Sequence, residues 1–403
     1  MKKLLMMAIA FMASTMTFAG DSEALKAVMK SKNYAEAVKL VEATLGQMAD
    51  NAEKAKAYNH LVDLAMNKVS NERGIMTENA AAVQLGGKVQ PYDTLGLADA
   101  ICDAIYKAVE TDKFDQQPDA KGKVKPKFAA KNAQRIWMVR GDLINIGQSE
   151  AQKDHSDAVL RYWGAFTDAE REPLFASQDH EALKEYVGQV AFFAGRYAFN
   201  AKEYDRANRY LDVAMKDPTQ KDDALNFKIY VMRSNLKNHE DSVKCTNQLK
   251  ELYAQMPDND AVLDGLNSMY EGMKDKKAQT ELLDNHLKKY PNSYAALANK
   301  GMIAMSENNA KEAAEWLRKA SVANDKNPVI YAYLGACLSS MGAECEDAAQ
   351  RKEYYKEAIE AFDKAKELDP DKRAANWGYP RYQAYYALYG ENDPKTQAAE
   401  ADR

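Results

Sequence analysis

Apolar residues return every three or four positions through almost the whole chain, and nowhere do β-branched residues alternate with polar ones over the length of a strand. That period belongs to amphipathic helices, in which residues i, i+3, i+4 and i+7 share a face. The abundance of Ala, Leu, Lys and Glu favours the same conformation. The pattern predicts an all-α fold. Tyr58, Leu61, Val62, Ala65, Met66 and Val69 make one stripe and predict a helix over 52–69. Leu97, Ile101 and Ile105, continued by Ala108 or Val109, predict another over 94–111. Residues 71–92 lose the stripe and carry Gly86-Gly87 and Pro91, which predicts a loop. Residues 112–127 lose it again, with Pro118, Gly122 and Pro126 among charged residues, and predict a flexible connection.

From Asn226 the pattern falls into a 34-residue register that reopens at Asp260, Tyr294 and Pro328. Position 4 holds Ile229, Leu263, Leu297 and Tyr331; position 24 holds Leu249, Leu283, Leu317 and, after an insertion, Phe362. Gly301 and Gly335 occupy position 8, Ala313 and Ala358 position 20, Ala320 and Ala365 position 27, and Pro257, Pro291 and Pro370 position 32. Small residues at fixed places let paired helices approach closely, and a proline ends the second helix because it has no N–H to donate. Some positions depart: Arg233 and Asn267 stand at 8, Lys300 at 7, Gln279 at 20, and Leu252 and His286 at 27.

This register resembles the tetratricopeptide repeat. Weaker copies lie upstream. Gly195, Ala207, Leu211 and Ala214 fit a repeat opening at Gly188; Trp137, Gly141, Ala158, Tyr162 and Ala165 fit one before it; Ala37 and Val41 fit the second helix of another. The resemblance implies a right-handed α-solenoid of antiparallel helix pairs over 131–370, preceded over 20–130 by one such hairpin and irregular helices. Residues 371–390 are expected to cap the exposed end, and 391–403 to be a polar tail. In the family, positions 2, 5, 9, 12 and 13 of each first helix line a groove. Carried over, the groove candidates are Phe192, Arg196, Phe199, Phe227, Tyr230, Met302 and Met305. The family's carboxylate clamp, Lys and Asn at positions 5 and 9, is replaced here by Tyr230 and Ser234. The expected partner is therefore a protein or peptide with an apolar or amphipathic segment. Trp377, Tyr382 and Tyr386 form a second, C-terminal aromatic patch, through which self-association is the structural alternative.

Lys2 and Lys3, the apolar run from Leu4 to Ala13 and the small residues ending at Ala19 have the layout of a secretory signal peptide. Cleavage after Ala19 is expected, with an exported, soluble product in the periplasm or outside the cell. Losing the two lysines of that segment takes the formal net charge from −5 to −7. A mildly acidic, evenly mixed chain argues against nucleic acid as a partner. No later run is long and apolar enough to span a membrane. The chain carries no recognisable catalytic or metal-binding signature. His180-Glu181 and His239-Glu240 open like a zinc-protease motif, but the fourth positions on are Lys184 and Val243. The five histidines have no ligand spacing. Gly86-Gly87-Lys88 lacks the rest of a phosphate loop, and Asp258-Asn259-Asp260 lacks the Gly and distal Glu of a calcium loop. No cofactor is implied. Four cysteines make no disulfide framework, and Cys337 and Cys345 are the only close pair. The competing class is an enzyme or carbohydrate-binding protein on a helical scaffold, whose mark would be inward-facing carboxylates and aromatic rings in a pocket of the N-terminal half.

Overall fold

The computed structural model describes residues 20–118 and 122–403, so the leader expected at 1–19 lies outside the described residues. Among those residues there are helices and turns and no strand. They divide into two compact units, one up to Ala224 and one from Leu225 onward.

The first unit opens with a hairpin of α1 (Glu23–Lys30) and α2 (Tyr34–Thr44) packed on α3 (Asn51–Gln84). Leu25, Val28, Ala37, Val41, Ala57 and Leu61 form its core. α3 corrects the loop expected over 71–92. It runs on because Lys68 and Glu72 pair at 2.8 Å one turn apart, Arg73 reaches Asp142 at 2.9 Å, and Ala80-Ala81-Ala82 favours helix. It ends where Gly86 takes a left-handed φ of 69° and Gly87 N–H closes on the Ala82 carbonyl. α4 (Thr94–Asp115) packs along α3 and also against α5 (Ala129–Trp137), α6 (Asp142–Ala151) and α7 (Ser156–Ala169). Helices on either side of 112–127 belong to one unit. Asp115 fastens the segment, its carboxylate accepting the Lys127 and Phe128 N–H groups at 2.5 and 2.9 Å. α8 (Lys184–Asn200) and α9 (Tyr204–Ala214) form the pair read from Gly188, and the Leu211 side chain fills the space beside Gly195. The earlier copy is modified. Its first helix is split into α5 and α6 around 138–141, and the close approach occurs at Gly147, against the Trp163 indole, rather than at Gly141.

α10 (Lys221–Ser234) crosses the division between the units. The second unit continues with α11 (His239–Gln255), α12 (Asp260–Gly272), α13 (Lys276–Lys289), α14 (Tyr294–Ser306), α15 (Ala310–Ala323), α16 (Pro328–Glu344), α17 (Ala348–Leu368), α18 (Gly378–Tyr389) and α19 (Pro394–Glu400). Helix starts follow the side chains that can cap them: Asn238, Asn259, Asp275, Ser293, Asn309 and Asp347 each accept an N–H three residues on. One turn recurs inside the pairs. Lys202, Lys274 and Asn308 all stand at register position 15 with φ near 60°, and the next residue's N–H returns to the carbonyl at position 11 at 2.9 Å each time. The Asp154 turn repeats the device at the end of α6.

The small positions do what close packing requires. A Cβ on Gly301 would meet Leu317 at 2.8 Å, and one on Gly335 would meet the Phe362 ring at 2.8 Å. Ala313, Ala320, Ala358 and Ala365 are fully buried, and Leu297, Leu317, Leu338 and Phe362 join them in one core. The fold is a tetratricopeptide-type array of helix pairs. Its departures are accommodated locally: Lys300 holds its ammonium 5.3 Å from the Trp316 ring centre and reaches Asp284 at 2.8 Å, and the buried His286 ring meets the Tyr253 hydroxyl at 2.7 Å. Burial lowers the His286 pKa, against the opposing pull of Asp260. The insertion in the last repeat lengthens both α16 and α17. Cys337 is buried and Cys345 half-buried, and both are free thiols.

Candidate partner-binding surfaces

In the second unit the groove positions converge on two hollows. The first, about 570 Å³, lies between α10 and α12, with Tyr230 at position 5, Ser234 and Ser268 at 9, and Met269 and Met273 in its wall. Tyr230 is 57% exposed, an unusual state for a large aromatic side chain. It stacks on the half-buried Phe227 ring at 6.0 Å. The second hollow, about 470 Å³, lies between α12 and α14 and takes Met302 and Ile303 beside Asn267, Gln279 and Asn299. Met302 is exposed. Met305, expected beside it, turns instead against the core of the later pairs.

In the first unit, Phe192 and Phe199 are half-buried, each edge-on to a neighbour in its own pair: Phe193 at 5.8 Å and Tyr204 at 5.8 Å. Arg196 is exposed, with its guanidinium 5.9 Å from the Phe193 ring. A hollow of about 470 Å³ lies between the start of α8 and the end of α9, walled by Glu170, His180, Val187, Val213 and Pro218. Behind that wall sits a charged core that the sequence did not disclose. Arg140 is 1% exposed, its guanidinium carbon 3.4 Å from the Trp137 ring centre and 4.9 Å from that of Phe166. Its Nη2 lies 2.7 Å from Glu170 Oε1, and burial brings its pKa down to about 10, with Glu170 opposing the shift. Both ring nitrogens of His180 face acceptors, Glu170 Oε2 at 2.8 Å and the Phe175 carbonyl at 3.1 Å.

A further cluster joins α4, α7 and α9. Tyr106 and Tyr210 donate to the same Asp168 oxygen at 3.0 and 3.1 Å, and Arg206 reaches the Tyr210 hydroxyl at 2.5 Å. Gly164 makes room for it, since a Cβ there would stand 2.7 Å from both Arg206 and the Tyr210 oxygen. The adjoining hollow, about 400 Å³, is lined by Tyr58, Tyr106, Glu110, Asp168 and Glu172. Carboxylates and rings do therefore meet in the N-terminal half, although Asp168 is committed to the two tyrosines and Glu110 to Lys113 at 2.7 Å. Burial raises the Glu172 pKa, and Asp168 adds to the rise.

The C-terminal patch is smaller than the sequence suggests. Trp377 is 1% exposed and donates from Nε1 to the Asp369 carbonyl at 2.8 Å, so it is core and not surface. The Asp369 carboxylate accepts the N–H groups of Arg373, Ala374 and Ala375, which curls the chain ahead of α18 and turns the indole inward. Tyr382 is half-buried, with the Arg403 guanidinium 4.9 Å from its ring, while Tyr386 is exposed. The expected polar tail is in part a helix, α19, capped by Asp393 and packed on α18, with Thr396 and Ala399 buried.

Among the described residues no group of three or more His, Cys, Asp or Glu could hold a metal ion, and no helix is long and apolar enough to cross a membrane. No family model matches the chain, and no curated protein matches it. Solved structures do. A thermophilic tetratricopeptide-repeat protein of Thermus thermophilus, TTC0263, aligns at 18% identity and TM-score 0.33, over 50% of this chain and 98% of that one. The human IFIT1 dimer with m7Gppp-AAAA aligns at 12% identity and TM-score 0.36, over 75% of this chain and 71% of that one. The APC/C hetero-tetramer Cut9-Hcn1 aligns at 12% identity and TM-score 0.35, over 93% and 81%. The recurrent turn and the packed small residues of the chain itself carry the fold.

Proposed function

We propose that this helical-repeat chain is an exported, non-enzymatic scaffold that holds an apolar or amphipathic segment of a protein or peptide partner in the cell envelope. The observation that carries the reading is Tyr230, an exposed ring at a groove position, set over a hollow whose wall includes Met269 and Met273. Aromatic anchors beside flexible Met side chains suit an apolar segment of adaptable shape. Affinity purification from the envelope fraction should retain a protein partner. Tyr230→Ala and Met302→Ala should each weaken that partner's binding by about 1–2 kcal/mol if both side chains are central contacts. Both variants should keep the parent's circular dichroism. Undiminished binding by the folded double variant would sink the groove reading. The competing reading, a carbohydrate-binding protein or enzyme, takes the hollow of Tyr58, Tyr106 and Glu172 as its site. It would gain if the purification retained a glycan in place of a protein.

Export rests on Lys2-Lys3, the Leu4–Ala13 run and Ala19. N-terminal sequencing of the extracytoplasmic protein should read from Gly20 or close to it, and Met1 on the exported chain would refute the proposal.

A further inference from the structure

α3 extends past the helix it packs on. α4 begins level with residues 68–72, where Lys68 Nζ reaches the Asp93 carboxylate at 3.0 Å and the Glu72 carboxylate accepts the Asp93 N–H at 2.7 Å. Arg73 ties the same level to Asp142. Beyond it α3 runs on for roughly 18 Å, from Arg73 to its cap at Leu85, before the chain returns to Asp93. Every residue from Val83 to Asp93 is exposed. The arm is nonetheless built. Asn79 grips the returning chain with both ends of its carboxamide, Oδ1 accepting the Gln90 N–H at 2.6 Å and Nδ2 donating to the Gln90 carbonyl at 2.7 Å, and Gly86 and Gly87 close the turn beyond. An ordered segment whose residues 83–93 cover no core is held in shape for what it meets outside.

What the arm carries to its end is apolar. Val83, Leu85 and Val89 are 67%, 86% and 58% exposed, and all three lie on the far side of the tie between Asn79 and Gln90. Single exposed aliphatic side chains are ordinary; three at one turn mark a contact surface. The charge is distributed to match. The chain as a whole has more acids than bases, yet 79–92 holds no acid and one base, Lys88. Glu78, the one acid between Arg73 and Asp93, stands roughly 10 Å of helix short of Leu85.

We propose that this arm seats the protein on a lipid bilayer, its tip entering the headgroup boundary of an anionic leaflet. A projecting turn offers no concave surface to a partner side chain, so its apolar area is buried by something that yields around it, as fluid lipid does. Apolar groups of peripheral proteins enter that boundary by about 5–10 Å. At this depth Glu78 stays in water, while Lys88 lays its stem along the apolar turn and keeps its ammonium among the lipid phosphates. The acid-free end is also the part of a net acidic chain that negative headgroups attract and do not repel. The contact is peripheral, since among the described residues no helix is long and apolar enough to cross a membrane. It lies apart from the groove of Tyr230 and stands or falls independently of the partner held there.

Vesicle flotation tests it, with the chain begun at Gly20, which keeps every helix of the described fold and lacks the Leu4–Ala13 run that would bind lipid by itself. The parent should float with phosphatidylethanolamine–phosphatidylglycerol vesicles and bind phosphatidylcholine vesicles about five-fold more weakly, the worth of one Lys at an anionic surface. Lys88→Gln should erase that difference. Leu85→Ser with Val89→Ser should weaken binding to both lipids roughly ten-fold or more. Both side chains are exposed, so the double variant should keep the parent's circular dichroism. Val322→Ser, which removes an equally exposed side chain from α15, and Tyr230→Ala should float like the parent. A parent that stays off both lipids, that binds the two equally, or whose flotation survives the double serine change would each overturn the proposal. A protein partner whose retention falls with the double serine variant, while the parent stays off lipid, would make the arm a protein contact instead.

Discussion

Glu170→Ala is expected to lower the unfolding free energy of the first unit by about 3–5 kcal/mol, the usual penalty for stranding one member of a buried ion pair. Arg140 lies beneath Trp137 and beside Phe166, and its Nε and Nη1 are sealed from solvent with no hydrogen-bond partner. Glu170 is the charge that balances it. The contact is an ion pair more than a directed hydrogen bond: Oε1 stands 2.7 Å from Nη2 but off the bonding line. Removing the carboxylate also leaves His180 Nδ1 without its acceptor. Replacing both partners, Arg140→Leu with Glu170→Leu, should restore most of the loss, because no charge then remains in the core. Urea unfolding followed by tryptophan fluorescence distinguishes the cases. A midpoint for Glu170→Ala equal to the parent's would mean that the guanidinium is held by its aromatic neighbours alone.

Neither Arg140 nor Glu170 could be read from the sequence, and the reason is general. Helical period reports which face a residue occupies, and Arg140 lies at the break between α5 and α6, where the period restarts. The array from Asp260 to Leu368 was legible because the spacing of Gly301, Ala313, Leu317, Gly335 and Phe362 is itself the packing geometry. Residues 71–84 were misread because an exposed helix needs no apolar stripe; its supports are pairs such as Arg73 with Asp142, distant in sequence. The polar tail was misread for a related reason. α19 is held by Asp402, which accepts from Lys366 at 2.7 Å and from Arg381 at 2.9 Å. For the site, the register placed Tyr230 and Met302 on their hollows, but exposure depends on the next ring along. Met305 turned to the core and Trp377 inward through contacts the register does not encode.

Ala313→Trp and Ala358→Trp should each destabilise the second unit by about 1–3 kcal/mol or more, the cost of forcing a large side chain into a filled interior. Both alanines are fully buried at position 20, where the second helix of a pair meets the first. The approach is close in the pair α14 and α15: a Cβ added to Gly301 would lie 3.6 Å from the Ala313 carbonyl oxygen and 2.8 Å from Leu317. An indole at 313 would have to displace the filled core around it, and parting the helices to admit it uncovers Leu297, Leu317 and Ala320, which share that core. At 358 the indole would meet a packed layer that already holds Phe362 against Gly335. Lys311 lies on the same helix as Ala313 but faces solvent, so Lys311→Ala should change stability by no more than about 0.5 kcal/mol. Thermal melts of the three variants separate the outcomes. Large downward shifts for the two tryptophan variants beside a parent-like Lys311→Ala support position 20 as the closest contact of each pair, and equal shifts for all three would contradict the register on which the array is built.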